Sequence, residues 1–225
     1  FYCHAMALAK SDNAEAFRIV VSFIKLNQLP QWIKESYCHR GFQDIIEMVK
    51  CGDWIADLDL RKYYHQIMAS WRTQQAQCVV VRGRRYMFLT AAMGPTLVPF
   101  IATRLANEIR KICMTQHALA APRGLLDDHY WVGRSYSEAL EITRLIVKTY
   151  EYYGLVINVK KSHMDPSQVR VILDVVVDTT TMRTYTSAKR RTKLHKAVAD
   201  LQRTIEAKQS VSPREIARIL GILDS

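Results

Sequence analysis

Two adjacent carboxylates, Asp127 and Asp128, close the apolar run Leu125-Leu126, and a third, Asp59, lies far upstream in Trp54-Ile55-Ala56-Asp57-Leu58-Asp59-Leu60. Neighbouring carboxylates repel each other, and burial raises the pKa of at least one of them. A pair set between apolar segments therefore needs solvent or a cation. If Asp59 comes alongside, three carboxylates converge, and oxygen ligands of this kind suit a divalent metal. Such a cage fits phosphoryl transfer, in which two ions about 3.5–4 Å apart activate an attacking hydroxyl and hold the leaving oxygen. On its own the pair is weak evidence for such a cage, since most Asp-Asp pairs are solvated turns.

The elements around these residues decide whether they can meet. Residues 54–60 read as a strand, with Asp57 and Asp59 on one face because alternate residues share a face. Leu125-Leu126 and Tyr130-Trp131-Val132 read as two strands, with Asp127-Asp128 at the turn between them. Residues 17–23 form an Ile- and Val-rich strand. Residues 42–50 carry Phe42, Ile45, Ile46 and Val49 at helical spacing, ended by Cys51-Gly52-Asp53. Residues 77–81 and 84–90 flank Arg82-Gly83, a hairpin signal. Pro95 opens a long helix reaching about residue 116, with Pro99 tolerated in its first turn. Residues 137–153 form an amphipathic helix stopped by Gly154. Residues 169–178 read as one apolar strand, with 182–186 as its partner. Two helices follow, over 189–207 and 213–223. Ser212 is the N-cap of the second, with Pro213 first and Glu215 third. This irregular alternation predicts an α+β fold, an antiparallel sheet backed by helices, rather than a doubly wound parallel sheet.

Composition narrows the partners. The chain has 225 residues and a net charge of +11, which suggests a polyanion such as nucleic acid. Five scattered cysteines, without a CxxC pair, indicate neither a disulfide framework nor a zinc knuckle. They predict a reducing, intracellular setting (cytoplasm or nucleus) and no secretion. No apolar run is long enough to span a membrane, and no signal peptide is evident. The chain reads as a piece of a longer protein.

Read in order, Asp59-Leu60-Arg61-Lys62-Tyr63-Tyr64-His65-Gln66-Ile67, Met93-Gly94-Pro95 and Leu125-Leu126-Asp127-Asp128 resemble the palm motifs of a reverse transcriptase. Lys10-Ser11-Asp12, Arg18-Ile19-Val20 and Leu26-Asn27-Gln28 resemble the fingers signature that precedes them. Gly154-Leu155-Val156-Ile157-Asn158 with Lys160-Lys161-Ser162 resembles the next palm motif. The phrase Ser212-Pro213-Arg214-Glu215-Ile216-Ala217-Arg218-Ile219-Leu220-Gly221 is similar to a thumb segment of long-terminal-repeat and DIRS-like retrotransposons. The joint occurrence is specific; no single motif is.

The resemblance implies a polymerase right hand: fingers over 1–35 and 68–94, palm over 36–67 and 95–186, and the start of a helical thumb over 187–225. It implies an RNA-directed DNA polymerase that adds dNTPs to a primer on an RNA or DNA template, using two Mg²⁺ ions or Mn²⁺ in their place. Asp59, Asp127, Asp128 and the Leu60 carbonyl would hold the metals. Tyr64 would exclude a ribose 2′-hydroxyl. Lys10 and Arg18 would grip the triphosphate, Arg bidentately. Met93 and Gly94 would lie under the nascent base pair, and Lys161 would give a proton to the leaving pyrophosphate, a part that Lys160 could also take. Arg82, Arg84 and Arg85 at the hairpin tip, and Lys189, Arg190, Arg191 and Lys193 at a helix start, would touch nucleic-acid backbone. Lys196 extends the second group. That helix end is already positive through the dipole, so a phosphate would relieve the conflict. A solvated charge run explains these cations equally well. A ribonuclease H domain would be expected after Ser225.

Several positions depart from the family pattern. Leu125 stands where Tyr is usual, Met93 where Phe or Gln is usual, and Ile172-Leu173-Asp174 where a Leu-Gly step is usual. Ser22 and Ile24 replace an Asp and an Arg of the fingers. These changes leave two rivals open: a domesticated, catalytically inactive domain that binds RNA or organises a larger complex, and another two-metal nucleotidyl enzyme. His129, following the Asp pair, is expected to face solvent or the sheet rather than a metal.

Overall fold

The computed structural model describes residues 3–10, 13–29, 42–117, 123–125, 128–207 and 210–224. Its centre is an antiparallel sheet in the order β6 (Arg123–Leu125), β7 (Asp128–Gly133), β3 (Trp54–Asp59) and β8 (His163–Ser167). β3 and β7 pair from Trp54 opposite Gly133 to Asp59 opposite Asp128.

Alternation along these strands sorts the side chains into two layers. Ala56, Leu58, Leu60 and Trp131 face two helices, α4 (Leu97–His117) and α5 (Tyr136–Tyr152), and meet Ala102, Ala106, Ile109, Ile142, Ile146 and Tyr150. Each fully buried Leu or Ile in this layer contributes roughly 1.5–3 kcal/mol. The indole of Trp131 donates to Thr143 Oγ1 at 2.9 Å, so its one polar atom is satisfied. Gly133 lets α5 approach: a Cβ there would fall 2.4 Å from the Ala139 nitrogen. Ser135 caps α5 by accepting from the Glu138 amide, and Glu138 accepts in return from the Arg134 amide.

The opposite face carries Ile55, Tyr130 and Val132. They pack on Val49, Ile172 and Val177, beside α2 (Phe42–Met48) and a second sheet. That sheet has the order β11 (Arg183–Thr186), β10 (Val175–Asp178), β9 (Val169–Ile172). The single strand expected over 169–178 is thus two antiparallel strands. Leu173 and Asp174 both adopt positive φ, at 49° and 61°, and make a two-residue turn. Turns of this hand match the strand twist but favour Asn-Gly, so Leu173-Asp174 carries no turn signal.

A third sheet joins two distant stretches of sequence in the order β2 (Asn13–Ser22), β1 (Cys3–Lys10), β4 (Cys78–Val81), β5 (Arg84–Met87). β1 runs parallel to β4, and the β4–β5 hairpin turns at Arg82-Gly83 as expected. Phe23, Leu26, Val79 and Ala92 form its core, next to the short helix α1 (Ile24–Asn27). The wholly buried Gln77, just past α3 (Trp71–Ala76), accepts from the Ala92 amide at 2.7 Å.

Two helices close the chain, α6 (Ala188–Glu206) and α7 (Pro213–Asp224). Ser212 caps α7 as expected, and its amide and hydroxyl hold the Glu215 carboxyl below the usual range. The α+β expectation holds. Among the described residues no helix is long and apolar enough to cross a membrane.

Candidate active site

Asp59 ends β3 and Asp128 begins β7, directly opposite it. Facing partners on neighbouring strands point to the same side, here the side away from α4 and α5. Side chains so placed lie about 4.5–5.5 Å apart at Cβ, and like charges there destabilise the pair. Asp127 and Leu126 lie outside the described residues. Leu125 pairs with Asp128 across β6 and β7, so Asp128 belongs to a strand rather than to the turn expected to hold both Asp residues.

Asp59 is fastened on its other flank by the segment 154–162. The Asn158 amide nitrogen Nδ2 donates to Asp59 Oδ1 at 2.6 Å, and the Asn158 backbone N–H donates to the Asp59 carbonyl at 2.8 Å. The Asp59 N–H donates to Ser162 Oγ at 3.0 Å, and that hydroxyl donates to the Asn158 carbonyl at 3.0 Å. Gln66, in the 3-10 turn Tyr63–Gln66, stitches the same segment to the end of β3 through Arg61 and Val156. Leu60 bridges Ile157, but the bonds run from the flanking residues: Arg61 N–H to Val156 O and Asn158 N–H to Asp59 O. The Leu60 carbonyl takes part in neither.

These groups fit a hard divalent cation. Asp59 is engaged by Asn158 through Oδ1, Asp128 stands opposite, and the Leu60 carbonyl lies outside the ladder bonds; all are oxygen donors. The described residues contain no group of three His, Cys, Asp or Glu side chains arranged to hold a metal, and the expected third carboxylate, Asp127, is not among them.

The other sequence-derived residues distribute as follows. Tyr64 sits in the 3-10 turn just beyond Asp59, half-buried and stacked on Tyr63 at 6.2 Å between ring centroids. Met93 is exposed, and Gly94 follows it at φ 122°, where a Cβ would meet Phe23 at 2.9 Å. Asn27 clasps this turn, donating to the Gly94 carbonyl at 3.0 Å and accepting from the Thr96 amide at 2.9 Å. Lys161 and Lys160 are exposed on the segment that fastens Asp59. Lys10 ends β1 and Arg18 lies in β2 opposite Leu8; their side chains lie outside the description. Arg82, Arg84 and Arg85 are exposed at the hairpin. Lys189, Arg191 and Lys193 are exposed on the first turns of α6. Arg190 is partly diverted from that group: its guanidinium donates twice to the Ile222 carbonyl at the end of α7. Lys189 lies 3.6 Å from Asp174.

His129 is buried against the sheet, hydrogen-bonded to the Tyr150 hydroxyl of α5. Burial pushes the Tyr150 phenol far above its ordinary value. His65 stacks on Phe88, and burial, with Lys62 nearby, lowers its pKa below 6.5. Sequence reasoning missed Asn158 and Ser162 as contacts of Asp59; only their place in the motif after Gly154 hinted at them.

The sheet and its helical backing match the polymerase-like fold of solved reverse transcriptase structures. Foamy viral protease-reverse transcriptase is similar over 99% of this chain when in complex with double-stranded DNA (TM-score 0.77, 16% identity). In complex with an RNA/DNA hybrid it is similar over 98% (TM-score 0.76, 16% identity). The native prototype foamy virus protease-reverse transcriptase gives a TM-score of 0.66 at 13% identity over the whole chain. This chain spans 35%, 27% and 33% of the length of those three chains. The sequence matches no protein-family profile. No curated protein matches it.

Proposed function

We propose that this chain is the polymerase portion of a retroelement reverse transcriptase, of the long-terminal-repeat or DIRS-like kind. It would extend a primer with dNTPs on an RNA or DNA template. The observation that carries the reading is Asp59 opposite Asp128 at the end of the β3–β7 ladder, two carboxylates brought to one side of the sheet.

Asp59, Asp127, Asp128 and the Leu60 carbonyl would hold two Mg²⁺ ions, or Mn²⁺. When bound, these lower the pKa of the primer 3′-hydroxyl and neutralise the triphosphate. The chain's own residues do the rest. Tyr64 presents a ring beside the sugar and excludes a 2′-hydroxyl. Arg18 and Lys10 bind the triphosphate from the fingers, formed by 1–35 and 68–94. Gly94 lets the backbone approach the new base pair closely. Lys161 donates a proton to the pyrophosphate as it leaves. Arg82, Arg84, Arg85, Lys189, Arg191 and Lys193 meet template and primer phosphates, while Arg190 divides its role with the α6–α7 contact. The solved foamy viral complexes hold double-stranded DNA or an RNA/DNA hybrid, which supports nucleic acid as the partner here.

The test is extension of a primer on a homopolymer RNA template in Mg²⁺ or Mn²⁺, with Asp59→Asn as control. Extension lost in the control supports the reading. A folded chain that binds template–primer but never extends it would favour a second reading, a domesticated binding domain. The Leu125 and Asp174 departures favour that alternative.

A further inference from the structure

We infer that Asn158 is a positioning residue for Asp59: it locks the carboxylate rotamer that presents the remaining oxygen to a divalent cation. The inference rests on the proposed function and names a residue that the metal cage itself does not include.

β8 pairs with β3 only at Ile55 opposite Ser167 and Asp57 opposite His163, with a register slip between them. Beyond His163 the chain leaves the ladder. The Asp59 backbone would be left without strand partners on that side, and an unpaired, part-buried amide is costly. The segment 158–162 fills the gap without being a strand. Ser162 Oγ accepts the Asp59 N–H where a strand carbonyl would otherwise stand. Asn158 N–H supplies the donor for the Asp59 carbonyl.

These two contacts alone would complete the edge. The third bond, Asn158 Nδ2 to Asp59 Oδ1, completes no ladder. An ionised carboxylate only accepts, so the Asn158 amide must turn its nitrogen toward it. With the Asn158 backbone anchored on the same residue, the side chain has little freedom, and neither has the Asp59 carboxylate. Asn158 also begins the turn that carries Lys161, whose amide donates to the Asn158 carbonyl at 2.9 Å. One residue therefore registers both the metal ligand and the loop bearing the proposed proton donor. Hydrogen-bond partners of metal ligands characteristically set ligand orientation, and their loss costs about 10–100-fold in metal affinity or activity.

The experiment measures Mn²⁺ binding to this chain directly, by electron paramagnetic resonance titration, alongside primer extension. Asn158→Ala should weaken Mn²⁺ binding by about 10-fold and lower kcat more than it raises the KM for dNTP. Asn158→Leu, of similar size without a donor, should do the same if Ala loosens the loop. Ser162→Ala removes a backbone peg but leaves the carboxylate donor, so Mn²⁺ affinity should stay within about 2-fold while the melting temperature falls. Unchanged Mn²⁺ affinity in folded Asn158→Ala and Asn158→Leu overturns the inference and leaves the proposed polymerase intact. Absence of Mn²⁺ binding by the unsubstituted chain overturns the polymerase reading and this inference with it.

Discussion

The two flanks of β3 are built differently. Toward β7 the ladder is regular, six consecutive pairs from Trp54–Gly133 to Asp59–Asp128. Toward β8 it holds two pairs, slips, and gives way to side chains from residues 158–162. The regular flank fixes spacing, because strand pairing sets how far apart facing residues lie whatever their charge. The irregular flank fixes orientation, because a side-chain donor can aim at one carboxylate oxygen and a backbone ladder cannot. A pair of like charges needs both: enforced proximity on one side and a directed partner on the other.

Four changes would break or sharpen this contrast. Trp131→Ala removes the largest wholly buried side chain of the regular flank and should cost about 3–5 kcal/mol in a denaturant titration. A loss below about 1 kcal/mol would mean the ladder does not depend on its helical backing. Asp128→Asn should lower primer extension about 10–100-fold, while the metal-free chain keeps its stability in a denaturant titration. Activity and stability moving together would contradict enforced proximity. Gly133→Ala, at the far end of the same ladder, should cost about 1–3 kcal/mol as α5 is forced from β7. The smallest effect lies just past β3, at His65. Its folded pKa is below 6.5, so its contribution is complete above that pH and is lost as pH falls through the folded value. Urea midpoints at pH 7.5 and 5 should differ less in His65→Phe, which keeps the stacking on Phe88.

The sequence made the regular flank legible and the irregular one nearly invisible. The spacing of Asp57 and Asp59 in 54–60 and the apolar run 130–132 named both strands and the face that Asp59 shares. The Ser212–Glu215 box and the Gly154 stop marked helix ends through local hydrogen bonding. β8 was missed because His-Met-Asp-Pro-Ser contains Pro166 and little β-forming character, as edge strands tolerate. β1 was missed because its alanines carry no period-two signal. The β9–β10 turn was missed because Leu173 and Asp174 occupy backbone angles usually left to Asn and Gly. His129 looked like a strand residue of no fixed depth, and its burial depends on Tyr150, a partner on a different element.

The clasp of Asn27 on Gly94 has a consequence for the order in which the chain can fold. Its partners lie 67 residues apart, and β1 waits for β4 across a similar span. Contacts of such separation close late, because loop entropy must be overcome before they form. During synthesis the β1–β2 hairpin emerges first, yet its sheet is completed only after β3 and the Tyr63–Gln66 turn have left the ribosome. A chain arrested before Cys78 would therefore expose the free edge of β1, a template for pairing with another copy. Aggregation of such truncated chains, measured against ones that include β4, is the signature to look for.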